Sequence, residues 1–406
     1  MPQIIVIGAS HAGISFADRI RQNGFQGNIT LIDKQRGGPL ERPPLSKAFL
    51  LDESEKINPK YLLKRGKWYK EQEINLKNNS SVINLDVKNK YLTLNDGERL
   101  DYDKLVLATG ALPRNLPSAQ KFSSVFVLRQ PDHAVAIRNA ARVAKRAVII
   151  GGGYIGLEVA ASLRQMELNV SVIELEDRLL ARVASPPIAE RIANLHETNG
   201  VSLYTGMGVT EILDKNNIFT GVVLSNGETL AGDMLLIGIG VVPDSALAFE
   251  AGIETENTTG GAIMVDEFQK TSDPDIYAIG DVALQRGSAL RIESVDNAQC
   301  SAARAAARIM GKPLPPSQAP WFWSDQYDAN LQSVGIVPTN DGRAYYVARG
   351  DNPELGMSFW SYCGSELKAV EAIRSPEHFL LAKRCLDKKI SPDSSLISDT
   401  RYVPEL

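Results

Sequence analysis

Two six-residue turns, GASHAG at 8–13 and GGGYIG at 151–156, place small residues where a backbone must bend sharply from a strand into a helix. Such a turn bares helix N-terminal N–H groups beside the positive end of the helix dipole, which suits a pyrophosphate. In the first, Gly8, Ser10, His11, Ala12 and Gly13 are the candidates; in the second, Gly151, Gly153, Tyr154, Ile155 and Gly156. The His11 imidazole needs no catalytic part, since its backbone amide alone suits a helix start. Each turn is answered by an acid closing the next apolar run: Asp33 stands 20 residues after Gly13, and Glu174 stands 18 after Gly156. A carboxylate there accepts hydrogen bonds from a ribose 2′-hydroxyl and repels a 2′-phosphate. Glu174 is followed by Leu175, Glu176 and Asp177 rather than by arginines, so the second site is expected to take NADH, not NADPH. A third segment, TSDPDIYAIGDVA at 271–283, carries a strand that delivers Asp281 to a helix start. There it could hold a flavin's ribityl hydroxyl or ring end, or act as a plain N-cap. Two nucleotide turns and this segment together imply a flavoprotein reduced by a nicotinamide nucleotide.

Strand–helix–strand units must position these residues. The first reads as strand 3–7, helix 12–23 and strand 28–32; the second as a helix from Pro131, strand 147–150, a helix through Gln165 and strand 169–173. Alternating segments between Ile74 and Leu107, with an Asp96-Gly97 turn, predict an inserted antiparallel sheet, and 208–230 with Asn226-Gly227 predicts another. The run LVLATGA at 105–111 ends in Ala108, Thr109 and Gly110, small enough for backbone to approach a ligand. Pro113 and Pro117 then mark a crossover, 234–239 reads as a further apolar strand, and the chain returns through Pro243.

Composition narrows the function class. The chain has 406 residues, 44% hydrophobic, enough for two or three domains with sizeable cores. A formal charge of −4 argues against nucleic-acid binding. No apolar run is long enough for a bilayer and no leader pattern opens the chain, so a soluble cytoplasmic protein without membrane contact is expected. Cys300, Cys363 and Cys385 are widely spaced, with Leu45 and Ser46 where a redox cysteine would be wanted, which excludes a flavin–disulfide relay. No metal is expected.

The chain closely resembles the FAD-dependent NADH:ferredoxin reductases of bacterial oxygenase systems, the putidaredoxin reductase and dioxygenase ferredoxin reductase family, related to rubredoxin reductase and apoptosis-inducing factor. The resemblance runs nearly end to end. It rests on GASHAG, RPPLSKAFL (42–50), LATGA, GGGYIGLEVAA (151–161), RLLARV (178–183), TSDPDIYAIGDVA, RIESVDNA (291–298) and PWFWSDQY (320–327). The implied fold class is α/β, with two Rossmann-like nucleotide-binding domains of the glutathione-reductase type plus a C-terminal α+β domain. The implied domains are FAD-binding at 1–112 and 242–319, NADH-binding at 113–241 and C-terminal at 320–406. Two residues depart from the family pattern: Ser10 replaces a middle glycine, and Leu40, before Glu41 and Arg42, stands where relatives often carry an aromatic residue.

The resemblance also assigns roles. It places Lys47 of PPLSK near flavin N5, and Glu158 of GGGYIGLE near that lysine and the nicotinamide carboxamide. An ammonium there favours the negative charge arriving with a hydride, and the carboxylate keeps the site from being over-positive. The plainer alternatives are a solvated lysine and a first-turn acid suited to the dipole. Trp321 and Trp323 could line the rings or the electron exit, or fill a core; Trp323 joins Lys47 and Glu158 as a catalytic candidate. Lys34, Arg42, Val82, Arg129 and Val295 are further implied FAD contacts, and Arg182 and Gly240 further NADH contacts. The implied enzyme is of the EC 1.18.1 type and serves a ring-hydroxylating dioxygenase or cytochrome P450. Its implied partner is an acidic [2Fe-2S] ferredoxin, docking at Arg304 and Arg308, at the 383–389 stretch with Lys383, Arg384, Lys388 and Lys389, or at a basic run with Lys64, Arg65 and Lys67. A monomer or homodimer is expected. The competing reading is an NADH-sensing flavoprotein, like apoptosis-inducing factor, acting through redox-dependent interactions.

Overall fold

The computed structural model describes residues 1–54, 58–119, 121–256, 261–339, 341–350, 352 and 356–405. Contacts divide it into two units. The first comprises Met1–Arg42, Glu53–Leu112 and Val241–Pro316; the second comprises Pro43–Asp52, Pro113–Gly240 and Ser317–Leu406.

In the first unit five parallel strands lie in the order Ile276–Ala278, Lys104–Leu107, Gln3–Ile7, Asn28–Asp33, Ile74–Asn78. The first four are buried almost throughout because both faces are covered, whereas the edge strand Ile74–Asn78 is polar at Asn75, Lys77 and Asn78. Ile4 and Val6 point to one side, into a core with Ile14, Phe16, Ala17 and Ile20 of the helix His11–Gln22. Ile5 and Ile7 point to the other, against Leu85, Leu92 and Leu94 of an antiparallel sheet made by Val82–Asp86, Tyr91–Leu94 and Arg99–Asp101. The alternation is the two-residue period of a strand. The helix Val295–Ile309 offers Ala298, Ala302, Ala305 and Ala306 to the first core, small enough to lie close to the helix His11–Gln22.

Two expectations change here. The antiparallel insertion is shorter than 74–107, because its outer segments Ile74–Asn78 and Lys104–Leu107 join the parallel sheet. Asp281 does not start a helix: it lies in a single 3-10 turn, Gly280–Val282, followed by the strand Ala283–Gln285. That strand pairs with Ile263–Val265, which continues the chain as extended backbone.

The second unit repeats the parallel arrangement with Val201–Tyr204, Asn169–Ile173, Arg146–Ile150, Met234–Ile237 and Val125–Phe126, and carries its own antiparallel insertion, Val209–Lys215, Ile218–Leu224 and Thr229–Ala231. It also holds a five-stranded antiparallel sheet in the order Trp321–Gln326, Ala329–Gly335, Glu366–Ile373, Met357–Cys363, Ala344–Arg349. One face of this sheet, with Trp321, Val334, Trp360 and Val370, packs on Phe379 and Ala382 of the helix Pro376–Asp387. The other face, which includes Phe322, Ser324, Gln326 and Glu371, meets the helices Tyr154–Gln165 and Pro186–Thr198.

Candidate functional site

Both glycine turns have the shape of a phosphate cradle. Gly8 has φ +102°, and a Cβ on it would lie 2.2 Å from the Ala108 carbonyl oxygen; on Gly13 it would lie 2.0 Å from that of Gly8. Side chains are thereby kept out of the turn, and the backbone stays open to a ligand. The second turn matches: a Cβ on Gly151 would meet the Gly238 oxygen at 2.3 Å and one on Gly156 the Gly151 oxygen at 2.2 Å. The N-caps of the two helices, Ser10 and Gly153, make no side-chain capping bond, which leaves their first N–H groups to a phosphate. The residues therefore fit two dinucleotides, one in each unit.

In the first unit the turn brings several predicted residues together. The Arg42 guanidinium Nε donates to Ser10 Oγ at 3.3 Å, and the Arg42 amide donates to His11 Nε2 at 3.3 Å. The His11 ring thus has a structural task that its backbone amide alone did not suggest. Asp33 is buried and accepts the Gln35 amide at 3.0 Å; burial pushes its carboxyl up, while that amide and the charges of Arg42 and Lys34 pull it back. Lys34 turns its ammonium to Asp244 at 2.9 Å. Thr109 donates to the Asp244 carbonyl at 2.6 Å, and the Gly110 carbonyl accepts the Asp244 amide, tying the strand end at Ala108 to the returning chain. Val82 opens the antiparallel insertion, Val295 opens the helix Val295–Ile309, and the Asp281 carbonyl accepts a bond from Arg291.

In the second unit Glu174 closes the turn from outside: its carboxylate accepts the Gly152 amide at 2.7 Å and the Glu176 amide at 3.0 Å. A Cβ on Gly240 would come within 3.8 Å of the Arg182 guanidinium, so those two predicted residues are neighbours. Tyr154 and Ile155 open the helix; Tyr154 is turned inward, its ring 4.7 Å from that of Phe322, and burial holds its hydroxyl far above the usual phenol range. Arg129 lies between the strand Val125–Phe126 and the helix Pro131–Ala141.

Lys47 and Glu158 meet: Nζ lies 2.7 Å from Oε2. Glu158 is not the first-turn surface acid its motif also allowed, because the first turn carries no acid and its side chain is buried. A buried carboxylate needs partners. Besides Lys47 it has two hydroxyls, Ser46 Oγ donating to Oε2 and Ser324 Oγ to Oε1 at 2.6 Å. Four residues further along the same helix, Ser162 donates to the Ser46 carbonyl at 2.7 Å. Arg138 donates to the carbonyls of Phe49 and Asp52, closing the far end of the segment that carries Lys47.

The motif PWFWSDQY drew attention to its tryptophans, whereas the side chains that reach Glu158 and beyond are Ser324 and Gln326. Trp321 and Trp323 lie on the opposite face of their strand, rings 5.6 Å apart, with Trp321 5.5 Å from Phe379. The signal for Ser324 and Gln326 was their two-residue spacing from Phe322, which puts all three on one face. Glu371 was also missed. It is wholly buried, accepts the Ser185 amide, and burial pushes its carboxyl up to about 7.

The predicted basic residues differ in circumstance. Arg304 reaches Gln285, Arg308 lies over the Phe268 ring, Lys383 is paired with Asp387, and Lys64 with Asp18. Among the described residues no cluster of His, Cys, Asp and Glu is placed to hold a metal ion, and no helix is long and apolar enough to cross a membrane.

Comparison with known proteins agrees with this architecture. Residues 2–302 match the pyridine nucleotide-disulphide oxidoreductase family, and 321–402 match the reductase C-terminal domain. A probable ferredoxin reductase of Castellaniella defragrans is 36% identical over 95% of this chain and 94% of that protein. The reductase in a covalent putidaredoxin reductase–putidaredoxin complex superposes with a TM-score of 0.91 at 34% identity, covering 98% of this chain and 96% of that one. The ferredoxin reductase for the CYP199A2 system of Rhodopseudomonas palustris gives 0.92 at 35% identity, covering 98% of each chain.

Proposed function

Because this chain belongs to the pyridine nucleotide-disulphide oxidoreductase family and is an oxidoreductase working with FAD and NADH, we propose that it reduces a [2Fe-2S] ferredoxin serving a ring-hydroxylating dioxygenase or cytochrome P450. The observation that carries this reading is the Lys47–Glu158 pair, its buried carboxylate held by serine hydroxyls, in a chain whose Cys300, Cys363 and Cys385 form no disulfide. With no cysteine pair to receive them, electrons must leave for an acceptor outside the chain. The relatives named ferredoxin reductase support that acceptor's class.

Bound FAD would supply the exchange between a two-electron donor and a one-electron acceptor. The turn at 8–13, with Ser10 and Arg42, would hold its pyrophosphate and Asp33 its ribose; Thr109, Arg129, Asp281, Val295 and Trp323 are the further contacts proposed. The turn at 151–156, with Glu174, Arg182 and Gly240, would hold NADH. Lys47 keeps a positive charge ready to meet negative charge arriving with a hydride, and Glu158 fixes that ammonium and balances it. In this reading FAD is held by segments 1–112 and 242–319, NADH by a domain at 113–241, and a C-terminal domain runs from 320.

The purified protein is expected to be yellow, to bleach with NADH, and to reduce cytochrome c rapidly only when a [2Fe-2S] ferredoxin is added. Ferredoxin-independent turnover at the same rate would refute the proposed acceptor. Lys47→Ala is expected to slow bleaching by about tenfold or more while leaving FAD bound; unchanged bleaching kinetics would remove Lys47 from the reaction.

A further inference from the structure

Beyond Glu158 the hydrogen bonds continue inward through three buried side chains. Ser324 Oγ lies 2.6 Å from Glu158 Oε1, Gln326 Nε2 lies 3.1 Å from Ser324 Oγ, and His196 Nε2 lies 2.7 Å from Gln326 Oε1. Ser324, Gln326 and His196 are each no more than 1% exposed. They come from distant parts of the sequence, the strand Trp321–Gln326 and the helix Pro186–Thr198.

The direction of every bond is determined. A carboxylate only accepts, so the single hydroxyl proton of Ser324 goes to Glu158. Ser324 Oγ is then left as an acceptor, and it must face the amide NH2 of Gln326. The amide oxygen therefore faces His196, which must present an N–H at Nε2. Burial holds the His196 imidazole below its usual value, so the ring is neutral and its one proton sits on Nε2. His196 Nδ1 is buried with no hydrogen-bond partner among the described residues, as a bare ring nitrogen can be.

We propose that Gln326 and His196 are positioning residues for the reaction, acting through Ser324 to hold the Glu158 carboxylate in the one rotation that presents Oε2 to Lys47. Pinning Oε1 stops the carboxylate turning about its last bond, and Oε2 is the oxygen that Lys47 and Ser46 share. This rests on the reading of Glu158 and Lys47 given above.

The test uses the full chain loaded with FAD and the limiting rate of flavin bleaching by NADH. Gln326→Leu is expected to lower that rate about tenfold, the worth of one well-placed hydrogen bond, with the half-saturating NADH concentration unchanged. Introduced together with Glu158→Ala, the same change is expected to cause no further loss. His196→Gln, which can still donate at the Nε2 position, is expected to keep the rate, and His196→Phe to lose it. A second measurement does not depend on turnover: nitrogen-15 resonances of the four histidines are expected to show His196 in the Nε2–H form. An equal loss with and without Glu158, no loss from Gln326→Leu, or an Nδ1–H imidazole would each overturn the proposal. If the unaltered protein fails to bleach with NADH, the functional reading falls and this inference with it. If it bleaches and Gln326→Leu bleaches as fast, only the inference falls.

Discussion

Glu174 commits both carboxylate oxygens to backbone amides, those of Gly152 in the second turn and of Glu176, so its negative charge stands fixed beside the turn proposed to hold NADH. Glu174→Ala is expected to loosen the preference for NADH over NADPH by about tenfold or more, read as the ratio of their kcat/KM values; an unchanged ratio would count against the residue. Glu371 has a different consequence. Its carboxyl rises from 4.5 to about 7 through burial, with the Ser185 bonds and Arg178 opposing. Between those values the folded chain holds a proton that the unfolded chain has released, so stability from this group is full below pH 4.5 and falls as pH rises towards 7. Glu371→Gln, which keeps an acceptor for the Ser185 amide, is expected to flatten that fall in melting temperature; the same slope in the variant would exclude Glu371 as its source.

At the scale of elements the glycine turns tolerate a side chain at some positions and not at others. Gly13→Ala would drive a methyl against the Gly8 carbonyl, whereas a Cβ on Gly153 has nothing within 4 Å. Gly13→Ala is expected to cost about 1–3 kcal/mol of stability and to give protein with little bound flavin, while Gly153→Ala stays yellow and folded; absorbance per chain and a melting curve decide it. These turns were legible in the sequence because a continuous apolar run, small turn residues and a closing acid admit few other folds. The strands 3–7 and 169–173 were read to the residue for the same reason. The turn at Gly280–Val282 was not, since its continuation depends on pairing between Ala283–Gln285 and Ile263–Val265, which no local pattern announces. Nor was the Ser324 bond to Glu158, whose partners are 166 residues apart. A serine and a glutamine in a strand look like its wet face until the partner helices are known.

For the whole molecule, the net charge of −4 means that an acidic partner must be met by a local surplus of base. Lys64, Lys67 and Lys383 are each matched by an acid, so Arg65, Arg304, Arg308, Arg384, Lys388 and Lys389 are the stronger of the proposed docking candidates. Ferredoxin-dependent turnover is expected to fall as ionic strength rises from about 0.01 to 0.5 M while bleaching by NADH alone barely changes, because only the first depends on steering between proteins; parallel salt dependence of the two rates would argue against charge-guided docking. The discontinuous first unit has a further consequence for synthesis. Its edge strand Ile276–Ala278 and the alanine-lined helix Val295–Ile309 emerge from the ribosome long after Phe16, Ala17 and Ile20, whose packing they complete. A nascent polypeptide halted near residue 240 carries that greasy helix face bare, so over the interval of translation from there to about residue 310 the face lacks its native cover and is open to aggregation.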